Sequence, residues 1–134
     1  MRHHFNRTTL AGFAVVMLCS HTVFAREPSP AGVVFEKNIE YSNPDEQHLQ
    51  LNMARPQNGK GPFPVIVCIH GGGFRAGSRE GFNGLCQQLA KHGYVAVTVS
   101  YRLAPKYPFP AAIHDVKAAV RWVRANAELS LIHI

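Results

Sequence analysis

The stretch Val65-Ile66-Val67-Cys68-Ile69-His70-Gly71-Gly72-Gly73-Phe74 decides how this chain is read. Its first half is continuously apolar and rich in β-branched residues, which predicts a strand in a sheet covered on both faces. Its second half is poorly suited to packing, because consecutive glycines each carry extra backbone entropy to lose on folding. Their chemical use is to bring bare backbone N–H groups close to a ligand. A tetrahedral intermediate of acyl transfer carries a developing oxyanion, and a preorganised N–H donor stabilises it by about 3 kcal/mol. A bare flexible turn is the plainer alternative for Gly71 to Gly73. A phosphate cradle needs G-x-x-x-x-G-K-[ST], and Phe74-Arg75 follow here instead. The same residues do not give G-x-G-x-x-G in register, which disfavours a dinucleotide-binding domain.

Downstream, Tyr94-Val95-Ala96-Val97-Thr98-Val99 predicts a second strand of the same buried kind. Between the two strands, Phe82, Leu85, Cys86 and Leu89 fall at i, i+3, i+4 and i+7, with Ser78 placed to cap the helix and Gly93 to end it. This is one βαβ unit. Upstream, Phe35, Ile39 and Tyr41 alternate with polar residues, as do Leu49, Leu51 and Met53. With Ser42-Asn43-Pro44-Asp45 between them, they predict an antiparallel hairpin. After Pro108-Phe109-Pro110, Ile113, Val116, Val120 and Val123 step along one helical face and His114, Lys117, Arg121 and Arg124 along another, predicting a helix laid on the sheet by its valine side.

A second block makes the reading specific: Tyr101-Arg102-Leu103-Ala104-Pro105, then Phe109-Pro110-Ala111-Ala112, Asp115 and Trp122. Together with His70-Gly71-Gly72-Gly73-Phe74 and Gly77-Ser78, it resembles the N-terminal part of an α/β-hydrolase of the hormone-sensitive-lipase-like and bacterial carboxylesterase families, over roughly residues 33–128. The implied fold class is α/β, incomplete: an antiparallel hairpin, a parallel βαβ unit and a further helix. The implied activity is hydrolysis of carboxylic esters, short-chain acyl or acetyl, through an acyl-enzyme. By resemblance, Gly72 and Gly73 are oxyanion N–H donors, Gly71 is a further candidate, and His70 shapes the loop. Asp115 is implied to be structural, Arg102 to organise its loop by bonds to backbone carbonyls, and Trp122 to pack in the core. In this fold the triad runs serine, acid, histidine in chain order, and both His70 and Asp115 come before any such serine.

No G-x-S-x-G occurs in the 134 residues, so nucleophile, acid and base are all missing. Oxyanion donors alone do not supply nucleophilic catalysis, and the chain by itself is expected to be inactive. Residues 129–134, Leu-Ser-Leu-Ile-His-Ile, are read as a non-native tail, with a short strand as the alternative. Truncation is expected to leave a sheet edge uncovered near Val99 to Tyr101 and to make the fragment poorly soluble. A non-catalytic truncated product, or a peptidase or lactonase of the same fold, are the competing readings.

Arg2 and Arg7 precede the apolar run Leu10 to Cys19, and Val23-Phe24-Ala25 resembles a cleavage site. Residues 1–25 therefore read as a signal peptide and 26–32 as a leader, implying export to a bacterial periplasm or beyond. The apolar run has half the length of a spanning helix, so no stable membrane span is expected. The net charge of +6 is not gathered into a basic cluster, which disfavours nucleic acid as a partner. The expected partner is a small-molecule ester; the sequence does not indicate an oligomeric state. No cofactor is implied, and no residue set has zinc-ligand spacing. Cys68 and Cys86 read as buried free thiols, a disulfide between them being the alternative.

Overall fold

The computed structural model describes residues 30–130. The expected signal peptide, residues 26–29 of the leader and the last four residues lie outside them. The elements are β1 (Val33–Ser42), β2 (Leu49–Pro56), β3 (Val65–Ile69), α1 (Asn83–Lys91), β4 (Val95–Val99), α2 (Ala111–Ala125) and a short α3 (Ala127–Ser130). One four-stranded sheet runs in the order β1-β2-β4-β3. The hairpin β1–β2 is antiparallel, with Phe35 opposite Ala54 and Ile39 opposite Leu51, and closes over a 3-10 turn at Pro44–Glu46. β4 runs antiparallel to β2 and parallel to β3, with Ile66 opposite Ala96. Hairpin and βαβ unit therefore share one sheet, and the expected α/β architecture is the one observed.

The alternation of side chains along a strand divides the core in two, and in β1 a register shift between Glu36 and Ile39 moves Ile39 and Tyr41 to the face opposite Phe35. On one face Leu51, Met53, Val95, Val97 and Val99 pack with Tyr41 and Leu49 beneath Ala119 and Val123 of α2, with Trp122 partly buried alongside. On the other face Val33, Phe35, Ala54, Cys68 and Ala96 pack beneath Cys86 and Ala90 of α1. All five residues of β4 are buried, as a strand covered on both faces requires. Gly93, at φ +86°, ends α1 with its N–H donating to the carbonyl of Ala90 and that of Tyr94 to Leu89, a Schellman closure.

Four expectations are corrected. First, β3 is half-buried and its Ile69 is 48% exposed. The uncovered edge is β3 rather than the end of β4, because β4 inserts between β2 and β3. Second, Ser78 makes no side-chain cap; α1 is entered through a 3-10 turn at Arg79–Phe82. Third, Leu85 is exposed, and α1 seats on Cys86 and Ala90 instead. Fourth, α2 turns Asp115, Ala119 and Val123 inward, while Ile113 is exposed and Val116 and Val120 are only half-buried. Small Ala119 lets the helix approach the sheet, and buried Asp115 follows the arginine it binds.

Candidate active site

The parallel strand β3 ends at Ile69 and delivers the glycine loop directly. His70 is buried, and its ring stacks on Tyr101 with centroids 4.3 Å apart and planes 13° from parallel. The Tyr101 hydroxyl donates to the carbonyl of His70 at 2.7 Å. The His70 ring donates from Nδ1 to the carbonyl of Gly71 at 2.9 Å, which assigns the proton to Nδ1 because a carbonyl only accepts. Burial raises the Tyr101 phenol above its ordinary pKa.

The glycines are used unequally. Gly72 has φ +121°, and a Cβ there would lie 2.1 Å from the carbonyl oxygen of Ala76. The Gly72 carbonyl accepts the N–H groups of Arg75 and Ala76, so the turn folds back on itself. Gly73 has φ +61° but faces open space, and Gly71 is likewise uncrowded. Gly77 has φ +104°, and a Cβ there would sit 2.4 Å from both the Gly71 carbonyl and His70 Nδ1. Among the described residues no acceptor is bonded to the N–H of Gly71, Gly72 or Gly73. Phe74 also lies in the left-handed region, at φ +60°, a rare conformation for a bulky residue. Its carbonyl accepts the N–H of Ala104 at 2.9 Å. The two sequence blocks are thus joined by four contacts: Tyr101 to His70 by stacking and by a hydrogen bond, Tyr101 to Phe74 by tilted rings with centroids 6.3 Å apart, and Ala104 to Phe74.

Half-buried Arg102 and buried Asp115 form an ion pair. Asp115 is 2% exposed and accepts from the Arg102 backbone N–H at 2.9 Å, from Nε at 3.0 Å and from Nη2 at 2.9 Å. Arg102 also bonds Asp45 through Nη1 and lies over the Tyr107 ring. The hydrogen bond to Asp115 raises the guanidinium above its ordinary pKa. The expectation that Arg102 serves backbone carbonyls is corrected: its partners are carboxylates, whose bidentate geometry matches the guanidinium fork. His114, next along the chain, is exposed.

Three features escaped the sequence reading. Arg79 donates to Asn52 at 3.1 Å, Ser100 at 2.6 Å, Asn38 at 2.7 Å and Gln50 at 3.1 Å, tying the hairpin to the end of β4. Its available signal was the polar pair Asn52 and Thr98 inside otherwise apolar strands, since buried polar groups demand partners. The second feature is an apolar groove of about 290 Å³ between Phe74 and the start of α2, lined also by Ala104, Tyr107, Phe109 and Ile113. The third is electrostatic: burial first, and the neighbouring Cys68 second, push the Cys86 thiol up to about 12, while the expected pair of buried free thiols is the one observed. Both cysteines are free. Among the described residues no group of His, Cys, Asp and Glu is arranged to hold a metal ion, and no helix is long and apolar enough to cross a membrane.

Residues 51–132 match the family model described as BD-FAE. Esterase LipI of Mycobacterium tuberculosis is 49% identical over 61 residues, which is 45% of this chain and 19% of that protein. Versiconal hemiacetal acetate esterase of Dothistroma septosporum is 26% identical over 122 residues, 90% of this chain and 37% of that one. Among solved structures, a bacterial heroin esterase superposes with a TM-score of 0.70 at 32% identity, covering 80% of this chain and 34% of its own. Esterase Est2 of Thermogutta terrifontis, in its propionate-bound form, gives 0.66 at 27% identity, covering 76% and 38%. The chain spans well under half the length of each of these relatives. It has their mixed sheet with flanking helices, and belongs to the BD-FAE family of α/β-hydrolase carboxylic ester hydrolases.

Proposed function

We propose that this chain is the oxyanion-hole portion of an exported serine esterase acting on short-chain acyl or acetyl esters. The observation that carries the reading is the loop after β3. Gly72 and Gly73 hold positive φ, and their N–H groups are bonded to no acceptor among the described residues. Contacts from Tyr101 and Ala104 hold the loop in place, so its donors need little reorganisation during reaction. In the proposed mechanism a serine attacks the acyl carbon, a histidine takes and returns the proton, and the Gly72 and Gly73 N–H groups stabilise the tetrahedral oxyanion. The serine, acid and base come from outside these 134 residues, so the chain alone does not turn over esters. Asp115 is no candidate acid, since Arg102 occupies both its oxygens. One matched relative is by name an acetate esterase, which supports a small acyl group. Arg2, Arg7 and the apolar run to Cys19 support export.

The test is to sequence the source gene across codons 120 to 180 and assay two products. A frame continuing into G-x-S-x-G, whose product hydrolyses short-chain aryl esters while the 134-residue chain does not, is the expected result. Turnover by the 134-residue chain, or an inert longer product, overturns the proposal.

A further inference from the structure

The glycine loop leaves the sheet after Ile69 and ends in the 3-10 turn that begins at Arg79. Its two ends lie against each other. At Gly77 an added Cβ would fall 2.4 Å from the Gly71 carbonyl and from His70 Nδ1, so the returning backbone packs on the start of the loop. Two residues later the chain is fixed twice. The Arg79 carbonyl accepts the hydroxyl of buried Thr98 at 2.9 Å, and Thr98 is the β4 partner of Cys68, two residues before His70. The Arg79 guanidinium reaches the hairpin and the end of β4: Nε donates to Asn52, Nη1 to Ser100, and Nη2 to Asn38 and Gln50. These four acceptors are neutral oxygens, although the side chain is only 13% exposed. Its carboxylate contact, Glu80 at 3.3 Å, is 53% exposed, and such a pair contributes little. The arrangement therefore serves direction rather than charge pairing. A guanidinium fork addresses separate acceptors at fixed angles, where a lysine ammonium addresses one point. Strand β1 is distorted to complete it. The register shifts between Glu36 and Ile39, and Asn38 lies at φ +59° with its amide oxygen 2.7 Å from Nη2 and its N–H donating to Asn52 at 3.0 Å. A bulge of this kind re-aims a side chain. Asn38 and Gln50 both precede residue 51, where the match to the family model begins.

We infer that Arg79 is a positioning residue for the oxyanion donors, and that the β1–β2 hairpin serves the site through Asn38, Gln50 and Asn52. The inference rests on the oxyanion reading of Gly72 and Gly73. Arg79 acts through the backbone: it holds the returning arm of the loop to the sheet, and Gly77 in that arm packs on the Gly71 carbonyl and the His70 ring. The Gly72 and Gly73 N–H groups are thereby fixed before any ester arrives, which is the condition under which such donors lower a barrier. Tyr101 and Ala104 brace the first half of the loop, and Arg79 braces the second.

The experiment compares the isotopically labelled 134-residue chain with its Arg79→Lys, Asn38→Gly and Glu80→Gln variants, by NMR relaxation and by titration with methylphosphonate, a tetrahedral anion. In the unaltered chain the Gly71, Gly72 and Gly73 amides are expected to be rigid, with order parameters of about 0.85, and the Gly72 and Gly73 amides to shift with the anion. Arg79→Lys keeps the charge and loses the fork. It should bring the three order parameters below about 0.6 and weaken methylphosphonate at least about fivefold, with the β4 amides still rigid. Asn38→Gly keeps the left-handed backbone without steric cost and removes one acceptor. It should move both readouts in the same direction, by about twofold in affinity, which keeps the test open if Arg79→Lys misfolds by circular dichroism. Glu80→Gln should leave both readouts unchanged. A folded Arg79→Lys with a lower urea midpoint but a rigid loop and full affinity shows an arginine that only stabilises the fold, and overturns the inference. Glu80→Gln with the same effect as Arg79→Lys overturns it too, because charge pairing would then hold the loop. Either result leaves the oxyanion reading standing. Missing Gly72 and Gly73 shifts in the unaltered chain overturn the oxyanion reading, and with it the positioning role, even where Arg79→Lys loosens the loop.

Discussion

Alanine at Gly72 and alanine at Gly73 are the same chemical change at adjacent positions, yet the structure assigns them different outcomes. At Gly73 the new Cβ meets nothing within 4 Å, and the only penalty is an alanine at φ +61°. A left-handed alanine costs about 1–2 kcal/mol. At Gly72 the backbone lies at φ +121°, beyond the left-handed well, and the Cβ falls 2.1 Å from the Ala76 carbonyl oxygen. Real contacts of this kind stop near 3.0 Å, so the peptide at Ala76 must retreat by about 0.9 Å. That peptide region supplies the N–H groups of Arg75 and Ala76 that bond the Gly72 carbonyl. Backbone strain of about 1–3 kcal/mol and weakening of these two bonds at about 1 kcal/mol each bring the total to roughly 3–5 kcal/mol. The assay is urea unfolding of each variant by circular dichroism, with hydrogen exchange at the Ala104 amide reporting loop position. Gly72→Ala should lose about 1–4 kcal/mol more than Gly73→Ala, and only Gly72→Ala should speed exchange at Ala104. Equal losses, or an undisturbed Ala104 amide in Gly72→Ala, would refute the close packing of the loop against Ala76.

Asp115→Asn should destabilise the chain by about 1.5–3 kcal/mol in urea unfolding, because it replaces the charge-assisted bidentate partner of Arg102 with a neutral amide while Asp45 remains; a loss below about 0.5 kcal/mol would contradict a structural Asp115. Alkaline stability should follow Cys86, whose thiol is neutral in the fold up to about 12 and has an ordinary value of 9.0. A raised folded value means that the contribution is complete below pH 9.0 and is lost as pH rises through the folded value. Urea midpoints should therefore fall across that window, and Cys86→Ala should reduce the slope by up to about 1.4 kcal/mol per pH unit. An unchanged slope would show that Cys86 ionises freely in the folded chain.

Much of the architecture was legible because periodicity reports burial locally. Alternation in Phe35, Ile39 and Tyr41 and in Leu49, Leu51 and Met53 produced a hairpin, and Val95 to Val99 produced a strand covered on both faces. Gly93 ended its helix where expected, because an αL closure needs φ > 0 and glycine supplies it without strain. The face of α2 was misread because hydrophobicity ranked Ile113, Val116 and Val120 above Asp115 and Ala119. A carboxylate moves inward only when a partner awaits it, and Arg102 lies thirteen residues away in sequence. Likewise β3 and β4 carry the same apolar signature, and only the strand order makes one an edge and the other central.

The sequence by itself determined the elements, the hairpin and βαβ grouping, the family resemblance and the glycine loop, since each rests on local pattern or on residues within a few positions of one another. Only the tertiary structure decided which glycines are irreplaceable, what Arg102 and Arg79 bind, that Tyr101 and Ala104 brace the loop, and that a groove opens beside Phe74. The partners of Arg102 and Arg79 and the bracing of the loop depend on contacts between segments 13 to 57 residues apart in sequence, which are set by how the helices seat on the sheet. Side-chain packing chooses that seating from the whole core at once, so no local pattern encodes it.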